Sequence, residues 1–297
     1  MKVFDAHCHL QDPRIWSKAP QLIAKANEVG VVGFAVNGVS ENDWHLVKQL
    51  GQSYPASIVP CFGLHPWFIQ ERTPSWFDTL KQFFDSTPSA AVGEIGLDKS
   101  SRGKQIDFAD QVQVFQQQLQ LAKDLKRPVS VHCVRAFGDL LPIVQRIGPF
   151  PAGVILHSYL GSAEMVPEFA KLGAYFSFSG FLMSMEQRKA KKMLKMVPSE
   201  RILLETDAPD ALPKSASDSL YLVEGDSYNS KELQPQQGID DLSSASDAST
   251  MPKETLNHPA NILNVLSYVA SLLELTKEEV AEVSYQNAIR LFSYRAP

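Results

Sequence analysis

The feature that most constrains the fold is a regular alternation of short apolar runs and longer amphipathic segments along most of the chain. The amphipathic segments place apolar residues at the three- and four-residue spacing of a helix face, as Val112, Phe115, Leu119 and Ala122 do. Eight of the apolar runs have the length and composition of β-strands, and they lie near Val3–Ala6, Val31–Val36, Ile58–Gly63, Ala90–Glu94, Val129–His132, Val154–His157, Ala174–Ser177 and Ile202–Glu205. Eight strand–helix alternations with short connections predict an α/β fold, a TIM-like (β/α)8 barrel, with a doubly wound open sheet as the alternative.

The amphipathic segments predict helices between the strands and after the last one, all within a single domain over residues 1–297. A chain of 297 residues suits one barrel, since such barrels run to about 250 residues and beyond. Thr276 and Glu279 have the spacing of a capping box before the last helix. The helices are expected over Ala19–Val29, Glu41–Leu50, Pro74–Phe84, Phe108–Leu125, Asp139–Arg146, Ala163–Lys171, Glu186–Met196, Pro259–Leu273 and Val280–Phe292.

The segment from Pro213 to Thr255 breaks this alternation. It contains nine serines, eight acidic residues and three lysines, with almost no apolar periodicity. Such a composition cannot bury enough apolar surface to offset the conformational entropy that is lost on ordering. We therefore predict that residues 213–255 form a flexible, low-complexity acidic loop inserted after the eighth strand, and not a domain of their own.

The charge of the chain argues against binding of nucleic acid through general basicity. The net charge is −5, and the acidic excess of residues 213–255 accounts for all of it, so the rest of the chain is formally neutral. Domains that bind nucleic acid through a general positive field are usually basic. A polyanionic substrate would therefore have to be held by local groups or by metal ions.

Cysteine usage and hydropathy are typical of an intracellular protein. Three cysteines, Cys8, Cys61 and Cys133, form no Cys-x-x-Cys pair, and their odd number argues against a disulfide framework. No apolar stretch approaches the roughly 20 residues that cross a bilayer, and polar residues such as Asp5 and His7 interrupt the N-terminal segment. We expect a cytoplasmic location, with the nucleus as the alternative, no membrane contact and no obligate protein partner.

Side chains that bind metals stand at the ends of five of the predicted strands. Active sites of parallel α/β barrels are built from the carboxyl ends of the strands and the loops that follow them. A mixed set of imidazoles and carboxylates suits one or two divalent cations. The set consists of His7, His9, Glu94, His132, His157 and Asp207. The sequence therefore predicts a metal-dependent hydrolase.

Spacing and residue type predict specific roles for four of these side chains. His7 and His9 lie two residues apart on a strand, so both imidazoles point to the same face and can chelate one ion. Glu94 lies in a glycine-containing run, and a carboxylate that bridges two cations offsets part of their repulsion, which an imidazole cannot do. Asp207 can bind a metal and also take a proton from bound water.

Six motifs that follow one another along the chain contain these residues. They are Asp5-Ala6-His7-Cys8-His9, Gly63-Leu64-His65-Pro66, Gly93-Glu94-Ile95-Gly96-Leu97-Asp98, Val131-His132-Cys133, His157-Ser158-Tyr159-Leu160-Gly161-Ser162 and Leu204-Glu205-Thr206-Asp207-Ala208-Pro209. In this order they resemble the TatD family of metal-dependent deoxyribonucleases, which belongs to the amidohydrolase superfamily. Apart from the insertion, the resemblance runs from the first strand to Phe292.

The resemblance implies an enzyme that cleaves DNA with two divalent metal ions, for which Zn, Mg and Mn all remain open. It implies catalytic roles for Asp207, as the general base or water-positioning group, and for Glu94. Glu94 would bridge two groups of ligands, which are His7, His9 and Asp207 for one ion and His132 and His157 for the other.

Two positions depart from the family's pattern and affect the expected substrate contacts. The arginine that family members place two residues after the strand-five histidine is replaced by Val134, so Arg135 is predicted to contact a phosphate instead, with loss of that contact as the alternative. Lys99 replaces an aromatic residue and is a second predicted substrate contact, with a solvated loop charge as the alternative. His65, at the end of the third strand, is the third predicted substrate contact, with a local hydrogen bond as the alternative. Asp98 is predicted to orient a ligating imidazole from behind, with a surface aspartate as the alternative.

The predicted function is that of a TatD-type deoxyribonuclease, which cleaves DNA phosphodiester bonds with water activated by two metal ions. The neutral body and the acidic insertion favour an alternative of the same chemistry, a barrel that hydrolyses a small amide, ester or phosphate compound. A barrel kept only as a binding scaffold is a third alternative, against which all six ligand positions are filled.

Overall fold

Eight parallel strands form one sheet in the computed structural model, which describes residues 1–216, 219–225 and 255–293. Each strand pairs in parallel with the next one along the chain. The strands are β1 (Val3–Cys8), β2 (Val31–Asn37), β3 (Ile58–Phe62), β4 (Ala91–Asp98), β5 (Val129–Val134), β6 (Val154–Leu156), β7 (Ala174–Phe178) and β8 (Ile202–Leu204). All eight predicted strands are present, within a few residues of their expected bounds.

Seven α-helices connect consecutive strands, and the described residues after β8 contain two more. The capping box at Thr276 and Glu279 is present at the start of the last helix. No helix in the described part of the chain is long and apolar enough to cross a membrane. The helices are α1 (Ala19–Glu28), α2 (Trp44–Ser53), α3 (Trp76–Asp85), α4 (Phe108–Asp124), α5 (Phe137–Ile147), α6 (Val166–Lys171), α7 (Gln187–Met196), α8 (Ile262–Leu273) and α9 (Lys277–Phe292).

The first and last strands meet at their carboxyl ends. The amide of Asp207 donates to the carbonyl of His7 at 2.9 Å, and the amide of His9 donates to the carbonyl of Ala208 at 2.7 Å. The strand order also runs from β1 to β8 without the reversal that a doubly wound sheet requires. The predicted TIM-like barrel is therefore confirmed, and the doubly wound alternative is wrong.

Two apolar cores hold the barrel together. The larger core lies between the strands and the surrounding helices. The smaller one contains a buried residue from β1, β2, β3, β4, β6, β7 and β8, so these side chains meet inside the ring. Ala288 and Leu291 of α9 join this inner core, and Asn287 donates to the carbonyls of Ser199 and Ile202 at the start of β8. Helix α9 thus covers the amino ends of the strands and leaves the carboxyl ends for the site.

The ends of the predicted insertion form a short hairpin ladder. Strand β9 (Leu222–Glu224) pairs antiparallel with β10 (Thr255–Asn257), and Val223 and Leu256 of this pair are buried. Residues 226–254, the greater part of the insertion, lie outside the described residues. The prediction of a flexible loop there stays a prediction, and the ordered ladder sets its boundaries closer together than 213 and 255.

Candidate metal centre

The six predicted ligands come together at the carboxyl ends of the strands. Five of the six lie in the last three residues of a strand or within three residues after one, whereas Glu94 lies in the middle of β4, which continues to Asp98 beyond the predicted strand end. All except His9 are buried, and the side chain of His9 is 13% exposed. The six are His7 from β1, His9 directly after β1, Glu94 from β4, His132 from β5, His157 after β6 and Asp207 after β8.

Glu94 lies between two groups of imidazoles and presents one carboxylate oxygen to each. Its Oε2 lies 3.4 Å from His7 Nε2 and 3.3 Å from His9 Nε2. Its Oε1 lies 2.8 Å from both His132 Nδ1 and His157 Nε2. This division of the two oxygens is the geometry of a carboxylate that can bridge two cations.

Asp207 completes the group around His7 and His9. Its Oδ1 lies 3.7 Å from His7 Nε2 and 3.4 Å from His9 Nε2, and these two ring nitrogens are 3.2 Å apart. The backbone of Asp207 is left-handed, with φ of 53°. Its amide donates to the carbonyl of His7, so the same bond that joins β8 to β1 also places the carboxylate.

A glycine allows β4 and β5 to approach closely enough for Glu94 and His132 to meet. Gly96 has φ of 154°, and a Cβ atom there would lie 1.9 Å from the carbonyl oxygen of His132. A side chain at this position would force the two strands apart. The Gly-Glu-Ile-Gly pattern is therefore a requirement of the backbone around the site as well as a sequence motif.

The outer nitrogens of two imidazoles direct their inner nitrogens towards the centre. His9 Nδ1 lies 2.7 Å from the carbonyl oxygen of Asn37, which can only accept, so Nδ1 carries the hydrogen. His132 Nε2 lies 3.0 Å from Asp98 Oδ2 and carries the hydrogen for the same reason. In the neutral rings, the lone pairs of His9 Nε2 and His132 Nδ1 therefore point into the centre, as in metal-ligating histidines.

His65 has the opposite arrangement, although it lies against the same carboxylate. Its Nδ1 accepts a hydrogen bond from the amide of Trp67 at 3.1 Å, so its hydrogen is on Nε2, which lies 3.4 Å from Glu94 Oε1. Burial lowers the pKa of His65 to about 4, which keeps the ring neutral. His65 is thus built to donate a hydrogen bond into the centre and not to ligate a cation, and its predicted substrate contact stays a prediction.

The two carboxylates of the centre are held in their charged form. Burial by itself would raise the pKa of Glu94, but His157, His65 and His7 hold that pKa well below its usual range. The pKa of Asp207 is also lowered, because the hydrogen bond to His9 and the neighbouring imidazoles outweigh burial. Charged carboxylates beside imidazole lone pairs form a donor set that fits divalent cations.

Among the residues that the structure describes, three overlapping groups of side chains could hold a metal ion. The ligand atoms within each group lie within 4.8 Å of one another. The groups are His7, His9 and Glu94; His7, His157 and Asp207; and His65, Glu94 and His132. Because the hydrogen of His65 faces Glu94, the third group reduces to Glu94 and His132, to which His157 is added by its contact with the same oxygen.

Glu205 is a buried carboxylate of the site to which the sequence analysis gave no role. It accepts hydrogen bonds from the amide and hydroxyl of Ser158 at 2.6 and 2.7 Å, and from the hydroxyl of Ser177. Its Oε1 also lies 3.6 Å from His157 Nδ1. Ser158, which follows His157, has a left-handed φ of 43°. Glu205 therefore holds the turn at Ser158 and lies behind the His157 ring without a hydrogen bond to its Nδ1, and its place directly after β8 was the available sequence signal.

Asp5 is a second buried carboxylate that the sequence analysis did not assign. It accepts hydrogen bonds from the amide and hydroxyl of Thr206, at 2.9 and 2.5 Å, and so links β1 to the segment after β8. Burial raises the pKa of Asp5 to about 8. A polar residue inside an otherwise apolar strand was its sequence signal, but its partner lies 201 residues away along the chain.

The remaining predicted site residues lie around the opening of the barrel. Asp98 is buried and faces His132, in the orientation expected for a residue that fixes this ring. Lys99 is engaged within the protein, since its Nζ lies 2.6 Å from Asp139 Oδ2 and 4.2 Å from the Phe108 ring centroid. Arg135 is exposed directly after β5. Substrate contacts by Lys99 and Arg135 stay predictions.

Comparisons with known proteins agree with this geometry. The family model described as TatD related DNase matches residues 4–293. The chain is 28% identical to the human protein named deoxyribonuclease TATDN3, over 97% of this chain and 93% of that protein. It is 27% identical to YabD of Bacillus subtilis, named an uncharacterized metal-dependent hydrolase, over 98% of each.

A solved structure shows the same fold. The crystal structure of YjjV, a TatD homologue from Escherichia coli, superposes with a TM-score of 0.78 at 24% identity, over 98% of each chain. Together with the family match over almost the whole length, this confirms the resemblance and the enzyme class predicted from the sequence. The chain therefore belongs to the TatD related DNase family of hydrolytic enzymes.

Proposed function

We propose that this protein hydrolyses phosphodiester bonds of DNA with two divalent cations, which the side chains around Glu94 would hold. The observation that supports this most strongly is the division of the Glu94 oxygens, with Oε2 facing His7 and His9 and Oε1 facing His132 and His157. A carboxylate placed in this way reduces the repulsion between two neighbouring cations.

Each side chain of the centre has a defined task in this proposal. When bound, divalent cations supply Lewis acidity, which makes water more acidic and polarises a phosphoryl oxygen. Asp207 orients the attacking water and accepts its proton on Oδ1, and His65 donates from Nε2 towards the substrate. The ligands are His7, His9 and Asp207 on one side of Glu94 and His132 and His157 on the other.

The donor set favours metals that accept imidazole nitrogen as well as carboxylate oxygen. Four imidazoles in the two ligand groups suit zinc or manganese better than magnesium, which prefers oxygen ligands and retains water. DNA as the substrate is in keeping with membership of the family and with charged groups at the opening of the barrel. The expected cytoplasmic location stays a prediction.

The test is a cleavage assay together with a metal analysis of the same preparation. Purified protein is incubated with single-stranded and double-stranded DNA in the presence of magnesium, manganese or zinc, and elemental analysis gives the number of bound ions. We expect cleavage of DNA and close to two ions per chain. In Asp207→Asn, we expect turnover to fall by about a hundredfold or more, because the proton acceptor is lost.

One pattern of results would overturn the proposal. If protein free of contaminating nuclease leaves DNA intact with every metal but turns over a small ester or amide, the chain is a small-molecule hydrolase. A single ion per chain in fully active protein would refute the bridging role of Glu94 while leaving the hydrolase itself intact.

A further inference from the structure

An arginine lies stacked on an aromatic ring beside the centre. The guanidinium carbon of Arg102 is 4.2 Å from the ring centroid of Trp67 and 5.6 Å from that of Phe68. Arg102 is half-buried and lies in the loop between β4, which carries Glu94, and α4. The aromatic rings therefore hold the guanidinium in one place and remove part of its water.

Contacts within the protein connect this arginine to the centre. Trp67 Nε1 donates to Asp98 Oδ2 at 2.7 Å, and the same oxygen lies 3.0 Å from His132 Nε2. The Trp67 ring also meets the ring of His65 edge-on, with 4.7 Å between centroids. Arg102 is thus separated from the predicted ligand His132 by one indole ring and one carboxylate, so it lies next to the centre and not within it.

The charge of Arg102 is not neutralised by a contact, unlike the charges of Lys99 and Arg14. Lys99 pairs with Asp139, and Arg14 pairs with both Asp12 and Asp210. In the described part of the chain, carboxylates influence Arg102 only from a distance, and none forms an ion pair or hydrogen bond with it. Since the protein as a whole carries a net charge of −5, such a cation is a local place to hold a polyanion.

The geometry points to a phosphate as the group that Arg102 takes. An arginine that lies flat on a ring keeps the N–H donors of its edge available, and this planar fork matches two oxygens of a phosphate. A stacked nucleobase is less suitable, because Arg102 itself occupies a face of the Trp67 ring. A half-buried guanidinium already held by Trp67 and Phe68 loses little further side-chain freedom when it binds.

Building on the proposed nuclease function, we propose that Arg102 binds the phosphate adjacent to the scissile phosphate of the DNA strand. The scissile group belongs at the centre of Glu94, and the indole of Trp67 separates Arg102 from that centre. Arg102 is then a positioning residue that registers the strand over the centre. Arg102 therefore strengthens the binding of substrates that carry two or more phosphates.

The test compares Arg102→Ala with Lys104→Ala, which removes the same charge from an exposed position two residues away. Two substrates are used, a short single-stranded oligonucleotide and bis(4-nitrophenyl) phosphate, which contains one phosphate only. In Arg102→Ala we expect the KM for the oligonucleotide to rise about 10- to 100-fold, as for the loss of charge-assisted hydrogen bonds. We expect kcat, metal content and turnover of the small diester to stay within about threefold.

A neutral linkage in the substrate locates the phosphate that is bound. Oligonucleotides carry a single methylphosphonate on one side or the other of the cleaved bond, which removes one charge from the strand. At one of these two positions, we expect the methylphosphonate to raise the KM of the unmodified protein and to have little effect on the KM of Arg102→Ala. Non-additivity of this kind is the signature of a direct contact. Arg102→Lys keeps the charge but not the planar fork of donors, so its KM for the oligonucleotide should lie between those of the unmodified protein and Arg102→Ala.

Several outcomes would overturn the inference and leave the proposed function standing. One is an unchanged KM for the oligonucleotide in Arg102→Ala, and another is an equal loss of activity with the oligonucleotide and the small diester. The others are a rise in KM in Lys104→Ala equal to that in Arg102→Ala, and effects on KM of Arg102→Ala and of both methylphosphonates that simply add. If Arg102→Ala does not fold, the same cycle in Arg102→Lys and Arg102→Gln decides. If the unmodified protein cleaves no DNA, the proposed function fails, and fluorescence anisotropy of the labelled oligonucleotide still decides whether Arg102→Ala binds it more weakly.

Discussion

The centre around Glu94 and the rim of the barrel around Lys99 and Arg102 use charge in opposite ways. At the centre, charged carboxylates lie among imidazoles, and each of Glu94 and Asp207 faces several of them. At the rim, Lys99 and Arg102 lie only three residues apart on one loop, yet Lys99 is paired with Asp139 and Arg102 is stacked on Trp67. A charge at a strand end is committed to the centre, whereas the role of a charge on a loop depends on its neighbour.

The difference follows from how the two regions are built. Backbone hydrogen bonds between strands set the positions of the central residues, so a side chain at the end of one strand must meet the side chains at the ends of its neighbours. The rim residues stand on loops, whose course depends on side-chain contacts such as that of Trp67 with Asp98. We therefore expect substitutions at the centre to affect metal and turnover together, and substitutions at the rim to affect substrate binding alone.

The largest effect is expected from Glu94→Ala. Both groups of imidazoles lose the one carboxylate that lies between them, so metal retention and activity should be lost together. We expect turnover to fall by about a thousandfold or more, a loss typical of residues that act as a unit in catalysis. Elemental analysis and the DNA cleavage assay measure the two effects. Near-normal turnover in this variant would contradict the role given to the centre, because activity would then not depend on its central carboxylate.

A smaller effect is expected from Glu205→Gln. The amide can still bond to Ser158 but no longer places a negative charge behind the His157 ring, so metal should bind about 10- to 100-fold more weakly. A competition titration with a chelating dye measures this affinity. Glu200→Gln, an exposed residue just before the amino end of β8 and away from the centre, is the control and should bind metal normally. Equal metal affinity in both variants would show that Glu205 only supports the fold.

Lys99→Ala tests the rim from the other side. Because Lys99 is already paired with Asp139, its removal should raise the KM for an oligonucleotide by less than about threefold, in contrast to Arg102→Ala. Asp139→Asn, which releases the lysine, should instead lower that KM. A rise in KM in Lys99→Ala as large as that in Arg102→Ala would show that substrate displaces Asp139 from Lys99.

The smallest effect is expected from deletion of residues 227–252 with a short glycine-serine linker in their place. The deletion spares the β9–β10 ladder, and composition predicts that the segment adds little buried surface, so the melting temperature should change by about 2 °C or less. Removal of negative charge should also raise the rate of DNA cleavage at low salt more than at high salt. A large fall in melting temperature would show that the segment packs against the barrel.

The sequence was most informative where backbone regularity and side-chain chemistry coincide. The eight strands were recognisable because each is a short apolar run, and the barrel they form is confirmed. The placement of ligand-type residues at strand ends was enough to name the six side chains that meet around Glu94, while their metal-binding roles stay predictions. The structure places Asp98 beside His132 Nε2, while its predicted role in orienting a ligating imidazole stays a prediction.

The sequence was least informative about partners that lie far apart along the chain. Glu205 and Asp5 went unassigned because Ser158 and Thr206, which donate to them, are not their sequence neighbours. Lys99 appeared free until the structure placed Asp139 beside it, 40 residues away along the chain. A contact of this kind depends on where two loops come together, which local propensity does not encode.

The barrel, most of the strand ends and the types of ligand atom could be predicted from the sequence alone. Apolar periodicity and residue chemistry are properties of short segments, which a sequence displays directly. Only the tertiary structure decided which oxygen of Glu94 faces which imidazole, which nitrogen of His65 carries its hydrogen, and that Lys99 is paired with a carboxylate whereas Arg102 is stacked on a ring. These depend on distances between segments that meet only after the ring of strands has closed, and hydrogen bonds and ion pairs change with shifts of about one ångström.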